Sequence, residues 1–434
     1  MLSVADAART VIERVPRLGM ESIALDSALG RILATDIVAE RALPGFDNSA
    51  MDGYALRAAD TPGALPVAGI VAAGSVRTAP VPPRSCVRIY TGAPLPVDLD
   101  TVVMQEDVSV DGSVVTFPAA RRGDHVRRAG EDVAIGDTVL AAGTRIVPWH
   151  VGLLAALGVA HVPVTRRPRV AIIATGDELV GVDTAPGPGQ LVSSSTHALV
   201  ALIRECGGEA HALGIARDDV DEIRAMIAHA LGDGPTSHAS TSGASSSSSH
   251  ASTSGGFDVV ITTGGVSVGD RDHVHTALEA AGVTRELYKV AMKPGKPFAF
   301  GTRRPSRDAS ASADRPSHDA TPVFGLPGNP VSTLVAFELF VRPALLAMQS
   351  ATLVDRPRVP VQLATAYRKQ AGRAHYLRAA ITRDGERLVA HAAAKQGSAM
   401  QSSLVGSSAL VEIPADATEI AGGALVTAIL LDAV

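Results

Sequence analysis

Apolar positions recur at helical spacing where the chain opens. Val4, Ala8, Val11, Ile12 and Val15 share one face, Ser3 is placed to cap that helix, and Asp6 stands three residues on. A second helix is predicted over Leu25 to Ala34, and Leu43-Pro44-Gly45 excludes helix beyond it. From 64 to 135 the apolar runs are short, as in Val67 to Ala72 and Cys86 to Tyr90, and Pro- and Gly-rich turns separate them, which predicts an all-β region. Ile135-Gly136-Asp137 and Leu140 to Gly143 have the form of hairpin edges, and Trp149 to Leu157 predicts a short helix ended by Gly158.

After Pro168 the pattern changes to strand and helix in alternation. Arg169 to Thr175 and Asp258 to Thr263 are β-branched, apolar runs of the kind buried in parallel sheets, with Ala210 to Ala216 a further strand. Thr196 to Cys206 and Asp221 to Leu231 are helical between them. Strands follow near Lys289 to Ala291, Phe298 to Gly301 and Pro322 to Leu326, then a helix through Leu346 with Asn329 as N-cap and Pro330 in its first turn. Repeated β-α units imply a doubly wound parallel sheet whose loops share one edge. Beyond Asp355 the runs Val359 to Leu363, Tyr376 to Ile381, Arg387 to His391, Ala409 to Ile413 and Ala424 to Leu431 have no helix between them, which predicts a small barrel or sandwich.

Two stretches stand outside this pattern. Gly232 to Gly256 is rich in Ser, Gly and Thr and carries His-Ala-Ser-Thr-Ser-Gly twice, and Arg303 to Ala320 is similar. Neither has the apolar content to offset its ordering entropy, so both are expected to be surface insertions.

Composition then narrows the class. At 434 residues, with 46% hydrophobic and 19% charged residues and a net charge of -5, the chain suits a multidomain α/β protein and gives no basic surface for nucleic acid or anionic membrane. Cys86 and Cys206 are far apart and lack metal-ligand spacing, which argues against a disulfide framework or a zinc site and suits a reducing, cytoplasmic setting. The first fifteen residues lack the apolar core of a signal peptide.

Several predicted loops carry chemistry. Thr262-Thr263 runs into Gly264-Gly265, followed by Ser267, Asp270 and Asp272. Glycines there let backbone N–H groups approach an anion, the hydroxyl can join them, and the acids can hold a cation. Thr175-Gly176-Asp177-Glu178, Arg217-Asp218 and Lys293-Pro294-Gly295-Lys296-Pro297 occupy comparable positions, and a parallel sheet would gather all four on one edge. That set suits phosphates, Mg²⁺ held by carboxylates and waters, and lysines for an oxyanion. In FDNSAMDGYA, Asp47 and Asp52 lie on a predicted turn, where such acids commonly bond their own backbone. Arg127, Arg128, Arg373, Arg378 and Gln396 to Ser398 lie at turns or strand ends, where solvation is the simplest expectation.

Together the motifs FDNSAMDGYA, RIYTGAP, VVMQED, RRAGEDV, IIATGDEL, TTGGVSVGDRD, KPGKPFAFG, GLPGNPVS and KQGS resemble the molybdopterin molybdenumtransferase (MoeA) family, which includes the gephyrin E domain. The resemblance runs from about residue 4 to the C-terminus and is broken only by the two insertions. It implies Mg²⁺-dependent insertion of molybdate into adenylylated molybdopterin with release of AMP, by an elongated homodimer whose cleft lies between two subunits. Lys293, Lys296, Arg378 and Ser398 would bind molybdate, and Asp272, Glu178 and Asp218 would lie at the nucleotide and Mg²⁺ site. Asp52, Thr91 and Asp132 would line the cleft from the all-β region. Thr175, Gly176, Asp177, Gly264, Gly265, Ser267, Pro297, Asn329 and Ser332 would contact the pterin nucleotide. Molybdopterin adenylyltransferase and molybdoenzyme maturation proteins are the partners it suggests.

The domains expected on this basis are a linking region (1–44 and 136–167), an inserted all-β domain (45–135), a MogA-like α/β molybdopterin-binding domain (168–348) and a C-terminal β-barrel-like domain (349–434). One departure is visible: Ser193-Ser194-Ser195 stands where the family usually has Asp-Ser-Asn, and serine still caps a helix but reaches less far. Two rival activities share parts of this pattern, the adenylyltransferase, which needs only the α/β domain, and a non-catalytic scaffold.

Overall fold

The Arg169–Thr175 strand is buried from Val170 onward because helices cover both faces of its sheet. The computed structural model describes residues 1–233, 256–265, 273–304 and 320–432. They form two units, one of Met1–Glu21 with Thr165–Val434 and one of Ser22–Val164. Ser267, Asp270, Asp272 and most of both insertions lie outside the described residues.

In the larger unit a six-stranded sheet has the order Glu209–Ala216, Arg169–Thr175, Val259–Thr263, Thr321–Leu326, Ala299–Arg303, Thr284–Tyr288. The first four strands are parallel. Ala299–Arg303 runs antiparallel to both its neighbours, so the sheet is mixed rather than wholly parallel. No helix separates Thr284–Tyr288 from Ala299–Arg303, and a link that short returns a strand antiparallel. The strand expected near Lys289 to Ala291 ends earlier, at Tyr288, because Lys289 adopts a left-handed backbone with φ 64°.

Ser194–Glu205, the Pro330–Met348 helix and the opening helix Val4–Arg14 pack against one face, and Val220–Leu231 and His273–Ala280 against the other. Ser3 caps the opening helix as expected, its hydroxyl accepting from the Asp6 N–H. Asn329 occupies the N-cap position of Pro330–Met348 but makes no side-chain capping bond. That helix widens to a π turn over Phe337–Val341, beside Pro343, which has no N–H to continue the α ladder. Among the described residues it alone is long and apolar enough to cross a membrane, yet 89% of that stretch is buried, so its apolarity is spent on the core.

The C-terminal strands Arg358–Leu363, Ala374–Asp384, Arg387–Ala392, Ala409–Ile413 and Leu425–Leu430 close into a five-stranded barrel, since Ala374–Asp384 pairs with both Arg387–Ala392 and Ala409–Ile413. A single 3-10 turn, Gln401–Ser403, interrupts the strands. Met292–Lys293 joins this barrel in parallel, with Lys293 opposite His375.

The smaller unit is built on a six-stranded sheet ordered Thr101–Met104, Gly53–Leu56, Cys86–Ile89, Gly63–Val71, Val114–Phe117, Ser109–Asp111. The helix expected over Leu25 to Ala34 is only a 3-10 turn at Leu25–Ser27. Gly30 takes a left-handed φ of 76°, and Ile32 and Leu33 enter β-bridges with Arg145 and Val164. Their apolar spacing therefore serves strand contacts. Pro148–Ala156 is the helix expected there, ended by Gly158 at φ 75°.

Candidate active site

The register of the parallel strands brings their C-terminal ends level, with Thr175 opposite Ala216 and Thr263 opposite Leu326. The loops that follow are knitted through backbone. Gly176 N–H donates to Ala216 O (3.2 Å), Gly264 N–H to Leu326 O (3.2 Å) and Asp218 N–H to the Asp177 carboxylate (3.1 Å). Gly264 has φ 99°, and a Cβ there would lie 2.3 Å from Thr175 O, so the position admits only glycine. Gly328 also approaches it, its Cβ position 3.3 Å from Gly264 Cα. The Thr175 hydroxyl is buried and donates to Thr263 O (3.3 Å), which ties the strand ends together. Asp177, Glu178 and Asp218 are exposed, and the Glu178 carboxylate folds back over the space beside Gly176. Gly265 follows Gly264 with φ 63°.

Two further loops meet the first turn of the Pro330 helix. Gly295, between Lys293 and Lys296, has its Cβ position 3.5 Å from Ser332 O, with Ser332 itself buried. From the barrel, Ser398 O accepts the Val331 N–H at 3.1 Å. Gly295, from the loop that carries Lys293, Lys296 and Pro297, and Ser398, from the barrel, thus meet the helix start that carries Asn329 and Ser332 within a single chain. The barrel reaches the Ser194 helix as well, through Gln401 Nε2 to Ser194 Oγ (2.8 Å). Ser193 holds the N-cap position there, but its hydroxyl meets Thr196 Oγ1 (3.0 Å) and caps no backbone N–H, so the capping expected of it is not made.

Arg378 is only 1% exposed, which overturns the expectation of a solvated side chain. Its Nε donates to Ser403 Oγ (3.1 Å) and its Nη2 to the carbonyls of Gly397 (3.3 Å) and Lys395 (3.4 Å). The guanidinium therefore shapes the turn that carries Ser398. Beside it His375 is buried, accepts or donates at Nδ1 with the Tyr367 hydroxyl (3.0 Å), and has its pKa pushed down to about 4 by burial and by Lys293, Lys369 and Arg373. Lys369 and Arg373 are neighbours of His375 in sequence, but Lys293 joins them only through the tertiary register that sets it opposite His375.

Asp52, Thr91 and Asp132 belong to the smaller unit. Asp52 Oδ1 accepts from both the Thr91 N–H (2.8 Å) and the Thr91 hydroxyl (2.7 Å), and these bonds hold its carboxyl below the usual range. Asp47 likewise bonds Ala129 N–H (2.8 Å) and Arg128 Nη1 (2.6 Å), which hold it low in that order. Neither acid makes the local turn bond common at such positions, since each reaches across to a distant loop, and Arg128 is ion-paired rather than simply solvated. Asp132 is exposed, its N–H bonded to Leu43 O (3.0 Å).

Both cysteines are buried free thiols, raised by burial to about 11 for Cys86 and about 12 for Cys206, so neither is a nucleophile at neutral pH.

Comparison with known proteins agrees along the whole chain. Residues 2–158 match the MoeA N-terminal region (domain I and II), 171–234 and 241–347 a probable molybdopterin binding domain, and 360–431 the MoeA C-terminal region (domain IV). Molybdopterin molybdenumtransferase 2 of Mycobacterium tuberculosis is 36% identical over 439 residues, 98% of each chain. The Haemophilus influenzae molybdopterin molybdenumtransferase is 34% identical, again over 98% of each. The crystal structure of the molybdopterin biosynthesis MoeA protein from Pyrococcus horikoshii OT3 superposes with a TM-score of 0.79 at 28% identity, covering 99% of this chain and 100% of that one. With its N-terminal, molybdopterin-binding and C-terminal regions matched in order and relatives spanning it almost end to end, this chain belongs to the MoeA family.

Proposed function

We propose that this protein is a molybdopterin molybdenumtransferase that inserts molybdate into adenylylated molybdopterin and releases AMP in molybdenum cofactor biosynthesis. The observation that carries the reading is the meeting, at the start of the Pro330 helix, of the Lys293–Lys296 loop and the Ser398 turn, beside the glycine-lined ends of four parallel strands. Molybdate is a tetrahedral dianion, which suits two lysines and a hydroxyl. Gly264 and Gly265, with left-handed φ of 99° and 63° and packed against Thr175 and Val274, form the kind of tight main-chain turn that can present N–H groups to a nucleotide phosphate, and Gly328, next to Asn329, approaches the same turn. Arg378 contributes by fixing the Ser398 turn. The sulfurs that receive molybdenum come from the substrate, in keeping with two buried, unreactive thiols.

Magnesium suits the donors at this edge. Asp177, Glu178 and Asp218 are hard oxygen ligands on adjoining loops, and Mg²⁺ needs only one or two carboxylates besides waters and phosphate. When bound it would neutralise phosphate charge. Asp272 is assigned to the hydrolysis that frees AMP, with Asp52, Thr91 and Asp132 completing the cleft in a homodimer.

The test is to incubate the purified protein with adenylylated molybdopterin, Mg²⁺ and molybdate. AMP release in step with molybdenum bound to the pterin is expected. ATP-dependent adenylylation of molybdopterin would instead favour the adenylyltransferase, and neither product would leave a binding or scaffold role.

A further inference from the structure

Arg88 of the smaller unit lies in the RIYTGAP motif, beneath the residue pair to which the proposed function assigns part of the cleft. Its cross-strand partner is Tyr54, and Tyr90 follows two residues on, so all three side chains share one face of the sheet. The guanidinium carbon lies 5.0 Å from the Tyr54 ring centroid and 5.2 Å from that of Tyr90. Tyr54 is itself held edge-on against Phe117, with centroids 5.8 Å apart. Arg88 Nη1 donates to Gly53 O (3.2 Å), the residue after Asp52, and Nη2 donates to Gln105 Oε1. Gln105 is engaged on both sides, because its N–H bonds Asp52 O (3.1 Å) and its Nε2 bonds the Glu106 carboxylate (3.0 Å). A planar, always-charged fork between two rings thus ties together the segments carrying Asp52, Thr91 and Glu106.

We propose that Arg88 is a positioning residue for the proposed reaction, holding the Asp52–Thr91 pair and Glu106 in one fixed arrangement through Gly53, Gln105 and the rings of Tyr54 and Tyr90. The inference rests on the assignment of Asp52 to the cleft. Lysine cannot substitute, since an ammonium has neither the flat face that stacks on two rings nor two donors at fixed separation. The electrostatics agree in direction. Both carboxyls sit below their usual range, Asp52 through Thr91 first and Glu106 through Gln105 first, and the Arg88 charge lowers both. Asp52 in turn opposes the lowering of Glu106, so the two acids and one arginine form a coupled set. Loss of Arg88 should therefore raise the pH at which Asp52 titrates.

The experiment compares Arg88→Lys, Arg88→Met and Asp52→Asn with the wild-type full chain. Steady-state AMP release is followed as a function of pH, and the Asp52 carboxyl is titrated by NMR after ¹³C-aspartate labelling. Both Arg88 variants should lose roughly tenfold or more in kcat with KM for molybdate within about twofold, as expected when a reacting group is misplaced rather than a binding group removed. The acid limb and the Asp52 titration should move to higher pH in Arg88→Met. Wild-type kcat and an unmoved Asp52 titration in both Arg88 variants, beside an inactive Asp52→Asn, would overturn the role of Arg88 and leave the proposed function standing. Full activity in Asp52→Asn would remove the assignment on which the inference rests, and the inference with it. A wild-type protein that releases no AMP would overturn the proposed function, identified separately by that control.

Discussion

At the edge of the α/β sheet the groups that would meet a ligand are largely backbone and exposed carboxylates, whereas the barrel contributes cations that the fold has drawn inward. Gly264 and Gly328 bring main chain to within van der Waals contact, and Asp177, Glu178 and Asp218 stay in solvent. In the barrel Arg378 is desolvated, and three polar groups on the 395–403 turn offset that cost. His375 is buried among Lys293, Lys369 and Arg373 and stays neutral for that reason. Parallel strands and tight turns build the sheet edge with almost no side-chain network. The barrel has to hold charge in place, so its contribution depends on hydrogen bonds made over long sequence distances.

That contrast can be broken most directly at the lysines. Lys296→Ala should cost about 100-fold or more in AMP release by removing one fixed charge from the oxyanion, with the circular dichroism spectrum unchanged, and Asp272→Ala should behave alike. Molybdoenzyme activity at wild-type level in cells carrying either variant would falsify these assignments. Gly264→Val tests the backbone side of the comparison. A branched side chain at φ 99° against Thr175 O should lower stability by about 3 kcal/mol or more in urea unfolding and abolish turnover with it. Arg378→Met should cost about 2–4 kcal/mol because it removes the buried bond to Ser403 Oγ and two part-buried bonds to the carbonyls of Lys395 and Gly397. If it instead lost turnover with unaltered unfolding, Arg378 would be a ligand group and not a scaffold for the Ser398 turn.

The pH dependence sharpens the same point. His375 titrates near 4 in the folded chain against 6.5 as a free side chain, so the unfolded state binds its proton first. Above pH 6.5 the group contributes no pH dependence. As pH falls from 6.5 toward 4 the folded state should lose stability, by about 2 kcal/mol at pH 5. Urea titrations at pH 7 and pH 5 on the wild type and on His375→Asn should show that difference shrink in the variant. The smallest effect is expected on removing residues 234–255, a stretch outside the described residues. Deletion should leave AMP release and unfolding within about 0.5 kcal/mol of wild type, and loss of activity would give that insertion a role.

The strands of the α/β sheet were legible because burial on both faces demands continuous apolar runs, and RVAIIAT and VVITT supply them. The glycine turns were legible for a related reason, since only glycine tolerates the approach that Gly264 makes. Leu25 to Ala34 misled because its apolar spacing suits a helix in isolation, while Gly30 and the bridges of Ile32 and Leu33 depend on partners more than a hundred residues away. The bonds of Asp47 and Asp52 were equally illegible from local sequence. Their local turns offered a bond, and the fold offered better ones at Ala129 and Thr91.

By itself, then, the sequence determined the β-α alternation, the all-β segments and the residue types placed at each strand end, because these follow from periodicity and from what glycine, proline and charge allow locally. Only the tertiary structure decided that Ser398 meets Val331, that Lys293 lies opposite His375, and that Arg378 faces inward while Arg88 is gripped by two tyrosines. Those facts depend on register and barrel closure. Both are set by packing between segments far apart in the chain, which no local pattern encodes.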